Sequence, residues 1–177
     1  MTDNVLVLCG HSGAGKSYIE RNLVFRGYDK IISYTTRPIR EGEKNGEDYH
    51  FVSAEKFQQK LNEGFFAEHT FYNGNSYGCA IEDLKANAVV VLEPHGVREL
   101  KKHCPNAIIF LIKVSERERL IRLARRGDET MEIFRRIVSD QGTFANIEQD
   151  VDFVINGELP TDTIVSQINL QYKKVGK

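Results

Sequence analysis

The chain has 177 residues, of which 41% are hydrophobic and 28% charged, with a formal net charge of -1. This length supports one domain with a sizeable core, and the balanced charge indicates neither a nucleic-acid binder nor a membrane binder. The cysteines Cys9, Cys79 and Cys104 form no C-x-x-C pattern, which excludes a typical disulfide framework or zinc site. No apolar stretch approaches the roughly 20 residues that span a bilayer. We therefore expect a cytoplasmic protein without an obligate protein partner.

The first predicted strand, residues 4–9, leads into a glycine-rich loop that is typical of phosphate binding. Residues 10–17, GHSGAGKS, satisfy the pattern G-x-x-x-x-G-K-[ST]. Backbone N–H groups of such a loop and the N-terminus of the next helix surround phosphates, while the lysine reaches the outer phosphates and the final hydroxyl binds Mg²⁺. The alternative is a glycine-rich turn that binds nothing. The predicted triphosphate site comprises Gly10, His11, Ser12, Gly13, Ala14, Gly15, Lys16 and Ser17, with Ser17 as the metal ligand.

Beyond the loop, the pattern predicts a helix from Ser17 to about Arg26 and a strand over residues 30–34. The next segment, residues 35–52, is charged and contains several turn residues. Its two arginines, Arg37 and Arg40, are accompanied by a glutamate and a tyrosine. Because the guanidinium offers a planar set of donors that matches phosphate, these residue types predict a second anion site. A solvated surface loop is the alternative.

The same segment resembles the signature of the guanylate kinase family, whose members transfer the γ-phosphoryl group of ATP to GMP. The matching residues are Ser33-Tyr34-Thr35-Thr36-Arg37-Pro38, Arg40, Gly42-Glu43, Gly46, Asp48-Tyr49 and Phe51-Val52. The resemblance implies an α/β fold, a P-loop kinase core with a parallel five-stranded sheet flanked by helices, into which a small, mostly antiparallel monophosphate-binding lobe is inserted. It also implies a helical lid. We expect a single domain, residues 1–177, with the core at 1–34 and 82–177, the lobe at 35–81 and the lid at about 115–130.

The resemblance also assigns roles in GMP binding. The residues that match those holding the GMP phosphate are Arg37, Arg40, Tyr49 and Tyr77. Glu43 matches a position that lines the same pocket. The positions that contact guanine are matched by Ser33 and Glu68.

The chemistry of Glu68 supports its assignment independently of the resemblance. A carboxylate can accept hydrogen bonds from both N1–H and the exocyclic amine of guanine, whereas adenine lacks these donors and would leave the carboxylate unpaired. The alternative is an exposed carboxylate on the strand predicted over residues 65–71.

Two positions depart from the family pattern. Cys79 stands where the family usually has Ser or Thr, and a thiol is a poor hydrogen-bond donor. Glu93 follows the predicted buried strand 88–92 and replaces one aspartate of the family pattern, while Val91 replaces another. Both Cys79 and Glu93 remain in the predicted GMP site.

A lid is predicted after the next buried strand, residues 106–114. Ser115 is a suitable N-cap for a helix on which Arg119, Arg122 and Arg126 share one face. By resemblance, Arg122 and Arg126 contact the ATP phosphates. The alternative is a solvated face with ion pairs at 118–122 and 125–129.

The end of the chain resembles the family less closely. Arg136 matches the family's last active-site arginine, and its alternative role is pairing with Glu132 and Asp140. Asn156 resembles a residue near the adenine of ATP. The remaining pattern predicts a core stripe over 133–147, a last strand over 152–156 and a helix over 160–174.

Together these features predict ATP- and Mg²⁺-dependent phosphorylation of GMP, with dGMP as a further acceptor. The partners would be these nucleotides. One alternative is a kinase for another phosphorylated acceptor, such as ribose 1,5-bisphosphate. Another is a non-catalytic guanylate-kinase-like interaction module. The residues expected to supply catalytic charge are Lys16, Arg37, Arg40, Arg122, Arg126 and Arg136.

Overall fold

The computed structural model describes residues 4–72 and 74–175. Residues 1–3, 176 and 177, which the sequence analysis includes in the core, lie outside this range. Nine strands are present in this part of the chain: β1 Leu6–Cys9, β2 Asp29–Lys30, β3 Tyr34–Thr35, β4 His50–Phe51, β5 Phe66–Tyr72, β6 Asn75–Ala80, β7 Ala88–Val91, β8 Ile108–Lys113 and β9 Phe153–Asn156. Six α-helices accompany them: α1 Lys16–Phe25, α2 Ala54–Asn62, α3 Pro94–His103, α4 Glu116–Arg126, α5 Thr130–Thr143 and α6 Thr161–Val175.

The core is a five-stranded sheet in the order β2-β7-β1-β8-β9, and every neighbouring pair is parallel. β1 lies at its centre and is fully buried, because helices cover both faces. Alternate residues of β1 enter different clusters: Val5, Val7 and Cys9 pack on the side of α3, while Leu6 and Leu8 pack on the side of α1 and α6. The predicted parallel core is therefore confirmed.

A second sheet, in the order β4-β3-β6-β5, forms the inserted lobe. Its β3–β6 and β5–β6 pairs are antiparallel, but β3 and β4 are parallel, so the sheet is mixed. The strand predicted over residues 30–34 is wrong: it divides between β2 in the core and β3 in the lobe. Ile31 still donates to Val89 of the core sheet, whereas the carbonyl of Ser33 already accepts from His50 of the lobe.

Local capping residues fix the ends of two helices, and the N-cap predicted at Ser115 is confirmed. The Ser53 side chain accepts from Lys56 N–H at the start of α2, and Ser115 does the same for Glu118 in α4. Gly127 ends α4 in the left-handed conformation, with a φ of 86°. Among the described residues, no helix combines the length and apolar character needed to cross a membrane.

Candidate active site

The loop between β1 and α1 has the geometry expected of a phosphate-binding loop. Its turn closes through Ala14 N–H, which donates to the carbonyl of His11 at 3.1 Å. Gly13 has a φ of +80°, and a Cβ there would lie 2.9 Å from the backbone oxygen of Arg119. Since the conformation is strained for other residues and the space is occupied, only glycine fits this position.

Lys16 is directed back along this loop. Its Nζ donates to the carbonyl of Gly10 and, at 3.1 Å, to that of His11. Burial lowers the pKa of the Lys16 amine, and the neighbouring Cys9 and Glu93 oppose that effect. A partly desolvated ammonium group at this position would interact strongly with a phosphate.

The predicted metal ligand, Ser17, is exposed in the first turn of α1. Among residues 4–72 and 74–175, no three His, Cys, Asp or Glu side chains form a cluster that could hold a metal ion. The single hydroxyl of Ser17 fits Mg²⁺ bound mainly through phosphates, because Mg²⁺ at nucleotide sites retains several waters and takes only one or two protein ligands.

Two residues of the helical segment hold the loop at Ser12. The Ser12 N–H donates to Oδ2 of Asp140 at 2.7 Å, and Nη1 of Arg119 lies 3.4 Å from the same oxygen. Both charged side chains are buried. Sequence reasoning considered Asp140 only as an alternative partner of Arg136, yet Asp140 lies on the same helical stripe as Ile137 and Phe144. A charged residue on a stripe that is otherwise apolar is the signal that would have identified it.

The lid arginines are paired with groups of the chain itself. Arg122 donates to Glu118 at 2.9 Å, to the carbonyl of Gly157 at 3.0 Å and to that of Ala14 at 3.5 Å. It therefore links α4 to the phosphate loop. The 118–122 pair is confirmed. The 125–129 pair is wrong in the described part of the chain, because Glu129 caps α5 by accepting from Glu132 N–H.

The other predicted ATP-site residues lie at the lid and at the end of the last strand. Arg126 forms an ion pair with Asp128. Arg136 donates to Glu132 at 2.8 Å and lies 3.6 Å from Asp128, whereas Asp140 pairs with Arg119 instead. Asn156 ends β9, and its side-chain oxygen accepts from Glu158 N–H at 2.9 Å.

The residues predicted to bind an acceptor phosphate come together on the lobe sheet and its preceding loop. Arg37 donates through both terminal nitrogens to Glu43, at 2.7 and 3.0 Å. Its guanidinium lies 5.4 Å from the Tyr49 ring centre, and the rings of Tyr49 and Tyr77 are 6.0 Å apart. Glu43 also accepts from the backbone N–H of Arg40, whose side chain is exposed. These contacts join all five residues.

Glu68 is only 4% exposed, so its alternative role as an exposed carboxylate is wrong. Its Oε1 accepts from Cys79 N–H at 3.0 Å, and its Oε2 faces Gly96 of α3. Burial raises the pKa of the Glu68 carboxyl to about 7, while hydrogen bonds from the Cys79 thiol and backbone lower it in part. The irregular register of β5 between Phe66 and Glu68 explains why the side chain turns inward.

Two further predicted residues lie at the start of α3 and at the start of the lobe. Glu93 precedes the first residue of α3, and burial raises its pKa while Lys16 opposes the shift. Glu93 therefore interacts electrostatically with the lysine of the phosphate loop. Ser33 is half-buried at the start of the lobe, where its carbonyl accepts from His50.

Comparisons with known proteins agree with this arrangement. A family model described as guanylate kinase matches residues 2–170. Guanylate kinase from Syntrophotalea carbinolica is 34% identical over 88% of this chain and 79% of its own length, and that from Lactobacillus delbrueckii subsp. bulgaricus is 32% identical over 93% and 84%. A solved guanylate kinase structure from Anaplasma phagocytophilum has a TM-score of 0.75 at 24% identity, covering 99% of this chain and 88% of that one. That structure shares the fold.

Proposed function

The chain belongs to the guanylate kinase family, and from that membership we propose that it transfers the γ-phosphoryl group of ATP directly to GMP. The observation that carries the proposal is the pairing of two unlike sites. The core provides a phosphate loop with Lys16, and the lobe provides both the Arg37 cluster and the buried carboxylate of Glu68. A donor site and a guanine-selective acceptor site together support a two-substrate transferase.

In the proposed mechanism, the chain supplies positioning and charge rather than a covalent intermediate. The GMP phosphate is itself the nucleophile, so the protein must align it with the γ-phosphorus and neutralise the transferred charge. Lys16, the lid arginines Arg122 and Arg126, and Arg136 of α5 would face the ATP phosphates. Mg²⁺, bound with ATP near the Ser17 hydroxyl, would supply further neutralisation.

Arg37, Arg40, Tyr49 and Tyr77 would bind the acceptor phosphate. In this proposal the Arg37 guanidinium exchanges its bidentate contact with Glu43 for phosphate oxygens, because both partners offer two acceptors at similar spacing. Glu43 would keep its hydrogen bond from the backbone N–H of Arg40.

The base would be read by Glu68, with Ser33 and Cys79 beside it. In the ionised form, the carboxylate accepts from N1–H and the exocyclic amine of guanine. The same base and phosphate are present in dGMP, and we therefore propose dGMP as a second acceptor. Glu93 is proposed to line the passage between the acceptor and the phosphate loop.

We also propose that the lobe and lid act as separate moving parts of the single domain. The core is assigned to residues 1–34 and 82–177, the lobe to 35–81 and the lid to about 115–130. The separation of the two sheets supports an inserted lobe, whose first strand β3 already includes Tyr34, and the capped helix α4 supports the lid. Closure of both would exclude water from the reacting phosphates. Buried free thiols at Cys9 and Cys79 fit the proposed cytoplasmic setting.

A coupled assay of ADP release tests the proposal. Mg²⁺-ATP is combined in turn with GMP, dGMP, AMP, UMP and ribose 1,5-bisphosphate, and Lys16→Ala serves as the catalytically impaired control. We expect GMP and dGMP to stimulate ADP release in the wild-type protein. Stimulation only by the sugar bisphosphate would favour a different acceptor. No stimulation by any acceptor would favour a binding module.

A further inference from the structure

We propose that Arg119 and Asp140 act as positioning residues that clamp the phosphate loop in its ATP-binding conformation. This inference rests on the proposed function, because it concerns the ATP side of the same reaction. Asp140 Oδ2 accepts the Ser12 N–H at 2.7 Å, and Arg119 Nη1 lies 3.5 Å from the Ser12 carbonyl oxygen. The two side chains therefore contact both backbone polar groups of Ser12. We refer to this pair as the Arg119–Asp140 clamp.

The clamp is buried but incompletely paired. The side chains of Arg119 and Asp140 are 7% and 6% exposed, and their closest charged atoms are 3.4 Å apart. Within the described part of the chain, Arg119 Nε has no hydrogen-bond partner. Buried ion pairs recover their desolvation cost only when geometry and hydrogen bonding are good, so this pair adds little to stability in place of apolar side chains. We therefore attribute to the clamp a role in positioning the phosphate loop that it contacts.

What it holds is the first half of the phosphate loop. Besides Ser12, the neighbouring Gly13 packs against the Arg119 backbone, and the His11 ring stacks on Phe144 with 4.0 Å between ring centres. Phe144 directly follows α5, one helical turn beyond Asp140. Helices α4 and α5 thus contact three successive loop residues. Through this contact the clamp would orient the N–H groups that follow Ser12 toward a phosphate, apart from that of Ala14, which donates to the His11 carbonyl.

The clamp also removes one donor from the predicted ATP contacts. Because the Ser12 N–H is already bonded to Asp140, the phosphates would be bound by the N–H groups that follow it in the loop. Preorganised donors bind more tightly than donors that must be ordered during binding. The clamp should therefore act on ATP affinity and leave GMP affinity largely unchanged.

Binding measurements on four proteins test this role: Asp140→Ala, Arg119→Leu, the double variant carrying both changes, and wild type. Calorimetric titration with Mg²⁺-ATP in the absence of acceptor gives the affinity, and thermal unfolding reports stability. Asp140→Ala leaves the buried Arg119 with only the Glu116 carboxylate, 4.0 Å away, and Arg119→Leu leaves Asp140 without its cation. Each single change should lower Tm, whereas the double variant should recover most of that loss. We expect the double variant nevertheless to bind ATP about tenfold more weakly, since loop positioning is lost.

The matched control replaces another long-range Arg–Asp pair, Arg98 with Asp150, by Leu and Ala. That double variant should retain wild-type ATP affinity. A clamp double variant that regains stability and binds ATP like wild type would overturn the proposal. Should that variant not fold, Asp140→Asn replaces it: its amide is a weaker acceptor and cannot pair with Arg119 as an ion, so we expect ATP binding several-fold weaker. Unchanged ATP affinity in folded Asp140→Asn would equally overturn the clamp.

These measurements are independent of turnover. If wild-type protein binds ATP but fails to phosphorylate GMP, the proposed function fails while the clamp is still tested by ATP affinity. In an active enzyme, the clamp variants should also raise KM for ATP with KM for GMP within about twofold of wild type. An equal rise in both constants would indicate general disruption and contradict a specific effect on the loop.

Discussion

Gly96 on α3 lies directly against Oε2 of Glu68 on β5, so that a Cβ at this glycine would lie 2.8 Å from the carboxylate oxygen. The other oxygen, Oε1, accepts the N–H of Cys79. The carboxylate is therefore held between the core and the lobe. Its orientation depends on the absence of a side chain at position 96.

The Gly96→Ala variant tests this dependence. The added methyl group should displace the carboxylate and raise KM for GMP about tenfold, with ATP affinity unchanged. Steady-state kinetics with each substrate varied would measure both effects. Gly142→Ala is the matched control, because a Cβ there meets no atom within 4 Å and alanine favours the helix. Equal KM values for GMP in the Gly96→Ala and wild-type proteins would contradict this placement of Glu68.

A pH dependence of GMP binding is expected from the Glu68 pKa of about 7. Only the ionised carboxylate can accept both guanine donors, so kcat/KM for GMP should rise with pH through about 7. The GMP phosphate also titrates near pH 6, and Glu68→Gln therefore serves as the reference because it retains the phosphate titration. We expect a raised KM in Glu68→Gln and a smaller dependence on pH. Superimposable profiles for the two proteins would exclude Glu68 from the guanine site.

The same carboxyl group should make folding stability depend on pH. Its folded pKa of about 7 exceeds the ordinary value of 4.5, so the folded state retains the proton more strongly and the free energy of unfolding falls as pH rises from 4.5 to 7. The full effect is about 3 kcal/mol, from 1.36 kcal/mol for each pKa unit. Urea titrations should show Glu68→Gln gaining stability relative to wild type across that interval. A constant difference would contradict the raised pKa.

Cys79→Ser should shift the pH dependence of kcat/KM for GMP toward lower pH. The Cys79 thiol lowers the pKa of the Glu68 carboxyl, and a hydroxyl is a stronger donor that would stabilise the ionised carboxylate further. We expect the rise of kcat/KM for GMP to shift to lower pH, so that KM at pH 6 decreases several-fold. KM for ATP is the internal control and should not change. An unshifted profile would show that the thiol has little influence on the carboxylate.

Lys16→Ala should separate binding from transfer. Loss of the loop ammonium group should lower kcat by at least about 10³-fold, because it removes charge stabilisation specific to the transition state. GMP binding, measured by calorimetry, should remain near the wild-type value. If folded Lys16→Ala no longer bound GMP, the assignment of donor and acceptor to different sites would be wrong.

Arg37→Lys should impair the acceptor-phosphate site despite preserving the charge. Arg37 binds Glu43 through two nitrogens, and a lysine ammonium cannot reproduce that planar geometry. We expect KM for GMP to rise by about 10- to 100-fold, which corresponds to the loss of one or two charge-assisted hydrogen bonds. Arg26→Lys is the control, since Arg26 pairs with Asp162 on α6. Similar effects of the two substitutions would argue against a specific phosphate contact.

Features encoded by neighbouring residues were predictable from the sequence. The apolar strand β1, the loop that follows it and the N-cap at Ser115 each depend on a few consecutive residues. The parallel core sheet was also correctly expected, because apolar strands alternate with helices. The clustering of Arg37 with Glu43 and Tyr49 followed from the family resemblance and not from periodicity.

Features that depend on distant contacts were not predictable in the same way. Residues 30–34 contribute to two sheets, and hydrophobicity alone does not show where the chain leaves one for the other. On β5, Phe66, Ala67 and Glu68 are all buried, because the irregular register interrupts the alternation of faces. The contact between Asp140 and Ser12 joins residues far apart in sequence. Helical spacing offered Arg136 as an alternative partner for Asp140, but Asp140 pairs with the buried Arg119 instead.

The position of the lobe within the chain has a consequence for folding. Central strand β1, which ends at Cys9, finds its neighbours only at Ala88–Val91 and Ile108–Lys113, whereas the lobe pairs its strands between Tyr34 and Ala80. Early pairing within the lobe would shorten the effective loop between β1 and β7 and reduce its closure entropy. Pulsed hydrogen exchange should therefore show protection of β5 and β6 before β1 and β8; simultaneous protection would indicate that the two sheets form together.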